Sequence, residues 1–285
     1  GNLAQQLYNT VDAVIVGQYI GDGALAAVGA SGPVLNLLLL LFMGIATGAG
    51  IMVAQYYGAR QRDMLSRSVG TCILLTLISG IIIMIVGPLI AGPLMSLLRT
   101  PQDIYDMSVT YLTIIFLGMT GGGFYNILAG VLRGMGDSVT PLLFLLVACL
   151  LNIVLDIQFV VSFNMGVAGA ALATVISQVA GTILGLYYNL RKNPEIRFAW
   201  TYLRPSKPVI ARIYGVGIPS ILLQTVSSLL IFGLNQILVV FSETATAVYG
   251  VYFKLQGFAF LPIIGMNNGM VPIIAYNYGA RKPDR

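Results

Sequence analysis

Residues 44–63 read GIATGAGIMVAQYYGARQRD, and residues 265–284 read GMNNGMVPIIAYNYGARKPD. Set side by side without a gap, at an offset of 221, they agree at eight of twenty positions. The matches are Gly44/Gly265, Gly48/Gly269, Ala54/Ala275, Tyr57/Tyr278, Gly58/Gly279, Ala59/Ala280, Arg60/Arg281 and Asp63/Asp284. Apolar segments share Gly and Ala by chance, but hardly a YGAR string followed by Asp at one spacing. The pair is read as an internal duplication, and a repeat of this kind bears on the whole architecture.

The chain around it is too apolar to be soluble. Of 285 residues, 57% are hydrophobic and only 9% charged, with 15 Lys+Arg and 10 Asp+Glu. An ordinary soluble domain is about 25% charged. The class is an all-α polytopic membrane protein. Apolar runs long enough to cross about 30 Å as helix fall at 1–20, 24–58, 67–98, 107–133, 139–163, 167–190, 209–241 and 244–279. Gly29, Gly32, Pro33, Gly44, Gly48 and Gly50 predict a bend in the second helix, and Pro219, Pro262 and Pro272 predict bends in the last two. The chain begins at Gly1 inside an apolar stretch, with no cleavable leader, and reads as a piece of a longer protein.

The two repeats close the second and eighth helices. The copies are displaced by six helices, and an even number preserves orientation, so the repeat is parallel about the membrane normal. Doubling the offset extrapolates to roughly 440 residues and twelve helices in two six-helix lobes. Residues 1–190 are then the first lobe, 191–208 a cytoplasmic linker, and 209–285 the first two helices of the second lobe. Thirteen of the fifteen basic residues follow even-numbered helices, with Arg99 and Lys254 the exceptions. The positive-inside rule places the loops after helices 2, 4, 6 and 8 in the cytoplasm.

Histidine is absent, which removes His-based metal sites and Ser-His-Asp chemistry; Cys72 and Cys149 sit in apolar runs and read as small core residues. Gly134-Met135-Gly136-Asp137 and Tyr105-Asp106 spell the GxGD and YD signatures of intramembrane aspartyl proteases. Such chemistry needs both carboxylates on one water. Asp106 and Asp137 are 31 residues apart, roughly 46 Å along a helix, and on opposite membrane faces. No enzyme is expected, and no cofactor.

Three charges lie deep in apolar spans: Asp12, Asp156 and Lys254. Each costs about 2.5–3.5 kcal/mol to insert and is a functional candidate on that ground. Asn152 precedes Asp156 by four residues, so both share one face of helix 5. On helix 6, Gly166, Ala170 and Thr174 recur every fourth residue, a small face that allows close approach and carries one hydroxyl. An Asp, an Asn and a Thr offer hard oxygen ligands to a cation. A buried carboxylate can equally carry a proton, or the Asn–Asp pair can be structural. Lys254 has no partner in its own helix.

Taken together, QQLYNTVDAVIVG, ALAAVGASGP, QYYGAR, LRGMGDSVTP, NIVLD, GAALATVISQ, GIPSILLQ and KLQGFAFLPIIGMNNGMVPIIAYNYGAR, in this order, resemble the multidrug and toxic compound extrusion (MATE) transporters. The similarity runs over essentially the whole chain and is closest to the prokaryotic branch named after a DNA-damage-inducible protein. It implies twelve helices, of which the last four are absent here, alternating access, and export of organic cations in exchange for H+ or Na+. It assigns cation coupling to Asp12, Asn152, Asp156 and Thr174, with Ala170 contributing a backbone carbonyl; these side chains would hold Na+ if that is the coupling ion. Tyr8, Gln224 and Lys254 are the implied substrate-cavity residues. Other branches carry a helix-7 Glu for a second cation site, whereas the stretch around Gln224 has no acid, so coupling is expected in the first lobe. The implied setting is a prokaryotic inner membrane, with small organic cations and lipid as partners, no nucleic acid, and a monomeric state. A lipid-linked saccharide flippase is the nearest alternative, but it usually needs several cavity cations, and only Lys254 could serve. A non-transporting scaffold subunit is the alternative from another class.

Overall fold

The computed structural model describes residues 2–193, 195–196, 200–241, 243–282 and 284. Among them eight long helices follow in order: α1 Asn2–Tyr19, α2 Asp22–Gly58, α3 Arg62–Leu97, α4 Gln102–Gly134, α5 Val139–Asp156, α6 Gly166–Lys192, α7 Lys207–Phe241 and α8 Glu243–Gly279. A π-helical stretch, Ile157–Ser162, continues α5, and one 3-10 turn, Trp200–Tyr202, lies between α6 and α7. Among the described residues there is no strand. Among the described residues, five spans are long and apolar enough to cross a membrane: α2, α3, α4, Val139–Ser162 and Gly166–Arg191.

The eight expected runs are the eight helices, with shifted starts. α3 begins at Arg62 and α4 at Gln102, each five residues before its apolar run. The extra turns carry Asp63 and Asp103, and acidic residues suit the positive end of a helix. An apolar count misses such turns. The prolines expected to bend helices lie inside unbroken elements: Pro33 in α2, Pro219 in α7, Pro262 and Pro272 in α8.

Small residues explain which helices meet. In lipid the apolar surface supplies no drive for one helix to seek another, so backbones associate where glycine lets them approach. Gly50 of α2 faces the Gly130 carbonyl of α4, at 3.0 Å from where a Cβ would sit. A Cβ on Gly130 would lie 2.7 Å from the Ala46 carbonyl, and one on Gly134 would overlap that of Gly50. On another face of α2, Gly44 and Gly48 receive Gly217 and Ile213 of α7. The result is a central α2 packed on α3, α4, α7 and α8. Its inner surface joins two apolar clusters, one around Met52, Val53, Leu65 and Ile213, the other around Val16, Phe42, Tyr111 and Ala171. The outer surface is apolar too. Leu89, Leu97, Leu143 and Leu150 of α3 and α5 are all exposed, as lipid-facing positions are.

The two copies of the repeat end in the same turn. In the first, Ala59 N–H donates to Gln55 O, Arg60 N–H to Tyr57 O and Gln61 N–H to Tyr56 O. In the second, Ala280, Arg281 and Lys282 donate to Tyr276, Tyr278 and Asn277, the same pattern 221 residues on. Arg60 and Arg281 share φ 55°, a left-handed cap usually left to glycine. A similar turn ends α3 at Arg99, so turn type alone does not mark the repeat. The contact between the copies does. A Cβ on Gly58 would overlap the Tyr276 carbonyl, and one on Gly279 would overlap that of Gln55. Those are equivalent positions in the two copies, so the ends of α2 and α8 meet reciprocally, as a two-fold relation requires.

Candidate functional site

α6 is held against α4 by a glycine run. Gly118, Gly121 and Gly122 of α4 leave no room for a Cβ beside Val175, Val179 and Gln178 of α6. Thr182 Oγ1 donates to the Gly121 carbonyl at 2.6 Å across the same seam. With α6 fixed, its Ala170/Thr174 face meets α5 and α1. α5 then widens into its π-helical stretch immediately after Asp156. Single π turns inside helices are frequent at functional sites.

Four of the expected residues come together there. Asp12 of α1, Asn152 and Asp156 of α5, and Thr174 of α6 are all buried, and Ala170 lies one turn below Thr174, fully buried. The carboxyls of Asp12 and Asp156 face each other within hydrogen-bonding reach. A hydrogen bond between two carboxyls requires a proton on one of them. With its amide oriented to suit its neighbours, Asn152 donates Nδ2–H to Asp156 Oδ2 at 3.0 Å. Its Oδ1 then accepts the Thr174 backbone N–H at 3.2 Å. The opposite amide orientation offers only a 3.5 Å contact to Thr174 Oγ1, and leaves oxygen facing carboxylate. In a regular helix the Thr174 N–H points at the Ala170 carbonyl, so Asn152 competes for it and loosens that carbonyl's claim.

The cluster is incompletely satisfied. Asp12 Oδ1 and Asp156 Oδ1 are buried and have no hydrogen-bond partner among the described residues. Leaving a buried acceptor unpaired costs about 1–3 kcal/mol, more where it bears charge. A proton or an oxygen-seeking cation is the kind of group that such acceptors attract.

Ser177, which the sequence reading passed over, belongs to the same wall. It is buried and donates to the Thr174 carbonyl at 2.8 Å. Its spacing of three from Thr174 is the signal that was there to find. Tyr8, Gln224 and Lys254 lie outside the described residues as far as their side chains go, although α1, α7 and α8 are traced past them. Asp137 of the GxGD string serves the fold: its Oδ1 accepts the Thr140 N–H at 2.9 Å, inside the first turn of α5, and its Oδ2 the Tyr188 hydroxyl at 3.4 Å. Cys72 and Cys149 are free thiols, the first fully buried. No group of three or more His, Cys, Asp or Glu side chains stands ready for a metal ion among the described residues.

A family model described as MatE matches residues 1–158 and 218–285, taking in the α1 and α5 acids and both copies of the repeat. The chain belongs to the MatE family. It is 29% identical, over its whole length and 63% of the relative's, to the probable multidrug resistance protein YoeA of Bacillus subtilis. It is 28% identical, over 99% of its length, to the multidrug export protein MepA of Staphylococcus saprophyticus, of which it covers 62%. A crystal structure of MATE in the bent conformation superposes on 98% of this MatE chain with a TM-score of 0.92, at 28% identity, and this chain covers 62% of that one. The chain thus spans a little under two thirds of the length of the relatives it matches. The expected all-helical polytopic fold is the fold these membrane proteins have.

Proposed function

We propose that the MatE protein to which this chain contributes exports small organic cations, and that influx of H+ or Na+ through the Asp12–Asn152–Asp156–Thr174 cluster drives the export. One observation carries the reading: two buried acids from different helices face each other inside an apolar bundle, each with an oxygen that has no partner among the described residues. Such groups are expensive in a membrane interior and are retained where they bind or relay charge. The multidrug names of the relatives point to the cargo. Family and relatives alike are concerned with transport rather than catalysis.

The two ions make different demands on Asn152. A proton shared between the carboxyls suits the present arrangement, in which the amide donates to Asp156. Na+ needs oxygen donors, so it requires Asn152 to turn its amide and offer Oδ1, joined by Thr174 Oγ1 and the Ala170 carbonyl. In either case the ion stabilises one conformation of the α1–α5–α6 wall and the organic cation stabilises another. A ligand shifts such an equilibrium only by its difference in affinity for the two states. Positive charge on the acids therefore lowers the affinity for a cationic cargo, and α1 bends as cargo leaves.

The setting that follows is a prokaryotic plasma membrane, with the loops after α2, α4, α6 and α8 in the cytoplasm, where their basic residues belong. Residues 1–190 form one lobe, 191–208 the linker, and 209–285 the opening of a second lobe; the reciprocal α2–α8 contact supports that division. Everted vesicles containing the full-length protein test the function. Uptake of a fluorescent organic cation should follow an imposed pH gradient or an imposed Na+ gradient, and whichever drives it names the ion. Absence of uptake under both, with protein in the membrane, contradicts the reading and turns attention to lipid-linked substrates.

A further inference from the structure

The segment between α6 and α7 is fastened to α3, and the fastening leaves a basic cavity. Arg62 at the start of α3 grips Glu195 with two parallel hydrogen bonds, Nε to Oε2 at 2.8 Å and Nη2 to Oε1 at 3.0 Å. Tyr202 donates its hydroxyl to Asp63 Oδ1 at 2.9 Å. Two turns further along α3, a Cβ on Gly70 would overlap the Tyr202 carbonyl, so the absence of a side chain seats the 3-10 turn against the helix. Asp63, Arg67 and Gly70 follow at spacings of four and three, which puts them on one face. Between the two fastenings lies a cavity of about 390 Å³ lined by Arg67, Thr201, Arg204, Pro205 and Ser206. Ligand pockets run from about 300 to 1,000 Å³.

Two arginines thus line one hollow. Both carboxylates packed at this seam are engaged elsewhere, Glu195 with Arg62 and Asp63 with Tyr202. Among the described residues neither Arg67 nor Arg204 has an ion-pair partner. Like charges brought together without a counter-charge repel, and an anion would reverse the sign of that interaction. The rest of the lining suits a tetrahedral oxyanion. Thr201 and Ser206 bring hydroxyls, and Ser206 stands at the N-terminus of α7, where its carbonyl accepts the Ile210 N–H at 2.9 Å. Helix N-termini favour anions, and Arg favours phosphate through paired hydrogen bonds. The cavity also lies where α3 and α7 pass from charged to apolar sequence, and basic residues that flank apolar spans attract anionic headgroups.

We propose that Arg67, Thr201, Arg204 and Ser206 bind a phosphate group, and that its position favours the phosphodiester of an anionic phospholipid over free phosphate. A ligand there clamps the inter-lobe segment to α3. The site is independent of the Asp12–Asp156 cluster and of the transport reading.

The test uses the purified full-length protein in detergent, titrated with a short-chain phosphatidylglycerol, a short-chain phosphatidylcholine and inorganic phosphate, with thermal unfolding and native mass spectrometry as readouts. Phosphatidylglycerol should raise the unfolding temperature and be retained, while phosphatidylcholine does neither. Arg67→Gln and Arg204→Gln should each weaken it about tenfold, and the double variant about a hundredfold. Lys282→Gln, on a different turn, should leave it unchanged, and the Arg→Lys pair should restore part of it. Inorganic phosphate binding with the same variant dependence, and phosphatidylglycerol without effect, would support the site and name the free anion. Equal binding by wild type and the double variant, or no binding of either anion by wild type, overturns the proposal.

Discussion

The α1–α5–α6 cluster and the α2–α8 contact illustrate two ways in which a membrane bundle uses its interior. The first is polar and under-satisfied: two acids, an amide and a hydroxyl, with two carboxyl oxygens that have no donor among the described residues. The second has no charge at its point of closest approach. There, backbone meets backbone because Gly58 and Gly279 lack side chains, and Tyr57 and Tyr276 pack beside them with ring centroids 5.7 Å apart. Steric fit can be copied, and the duplicated YGAR turns show it twice. Charge handling depends on which side chains meet across helices, and it is built once in the described residues.

The contrast can be broken by substitution. The largest stability loss is expected at the glycine contact. Gly279→Val places a branched side chain against the Gln55 carbonyl, where backbone cannot give way easily. Over-packing of this kind costs about 1–3 kcal/mol or more, so the unfolding temperature of the purified protein should fall by several degrees. Gly58→Val should match it, because the contact is reciprocal; a large difference between the two would show that the ends do not meet as equals.

Asn152→Ala comes next and separates chemistry from packing. It removes the donor to Asp156 and the acceptor of the Thr174 N–H. Lost pairing of buried groups costs about 1–3 kcal/mol, yet the larger effect should fall on ion-driven uptake. A variant that unfolds earlier but transports with unaltered ion dependence would make Asn152 structural. The smallest effect belongs to Arg62→Ala. Its partner Glu195 is 30% exposed and Arg62 itself 59%, and surface ion pairs are worth about 0.2–1 kcal/mol. Thermal unfolding should shift by a degree or two at most.

Much of this was legible in the chain. Long apolar runs locate all eight helices because a lipid-embedded helix must be apolar along its length. Asn152 and Asp156 were readable as neighbours because a helix puts every fourth residue on one face. The meeting of Asp12 with Asp156 was not readable in that way. The two are 144 residues apart on different helices, and no periodicity links residues across a bundle; family resemblance brought Asp12 in. The π-helical stretch after Asp156 carries no Gly or Pro to announce it, since IQFVVS reads as ordinary apolar helix. Likewise, the repeat was visible as identical letters, but the reason for its glycines emerged only when Gly58 was found against Tyr276 and Gly279 against Gln55.

The central claim is that the Asp12–Asp156 pair couples ion entry to export, and one comparison tests it most directly. Everted vesicles containing equal amounts of folded full-length wild type or Asp156→Asn are loaded with the gradient that drives wild-type uptake, and accumulation of a fluorescent organic cation is followed. Asn keeps the size and hydrogen-bonding reach of Asp but cannot exchange a proton or offer a charged ligand. The account predicts normal membrane levels and thermal stability with gradient-driven accumulation abolished. Accumulation at the wild-type rate by Asp156→Asn would contradict it.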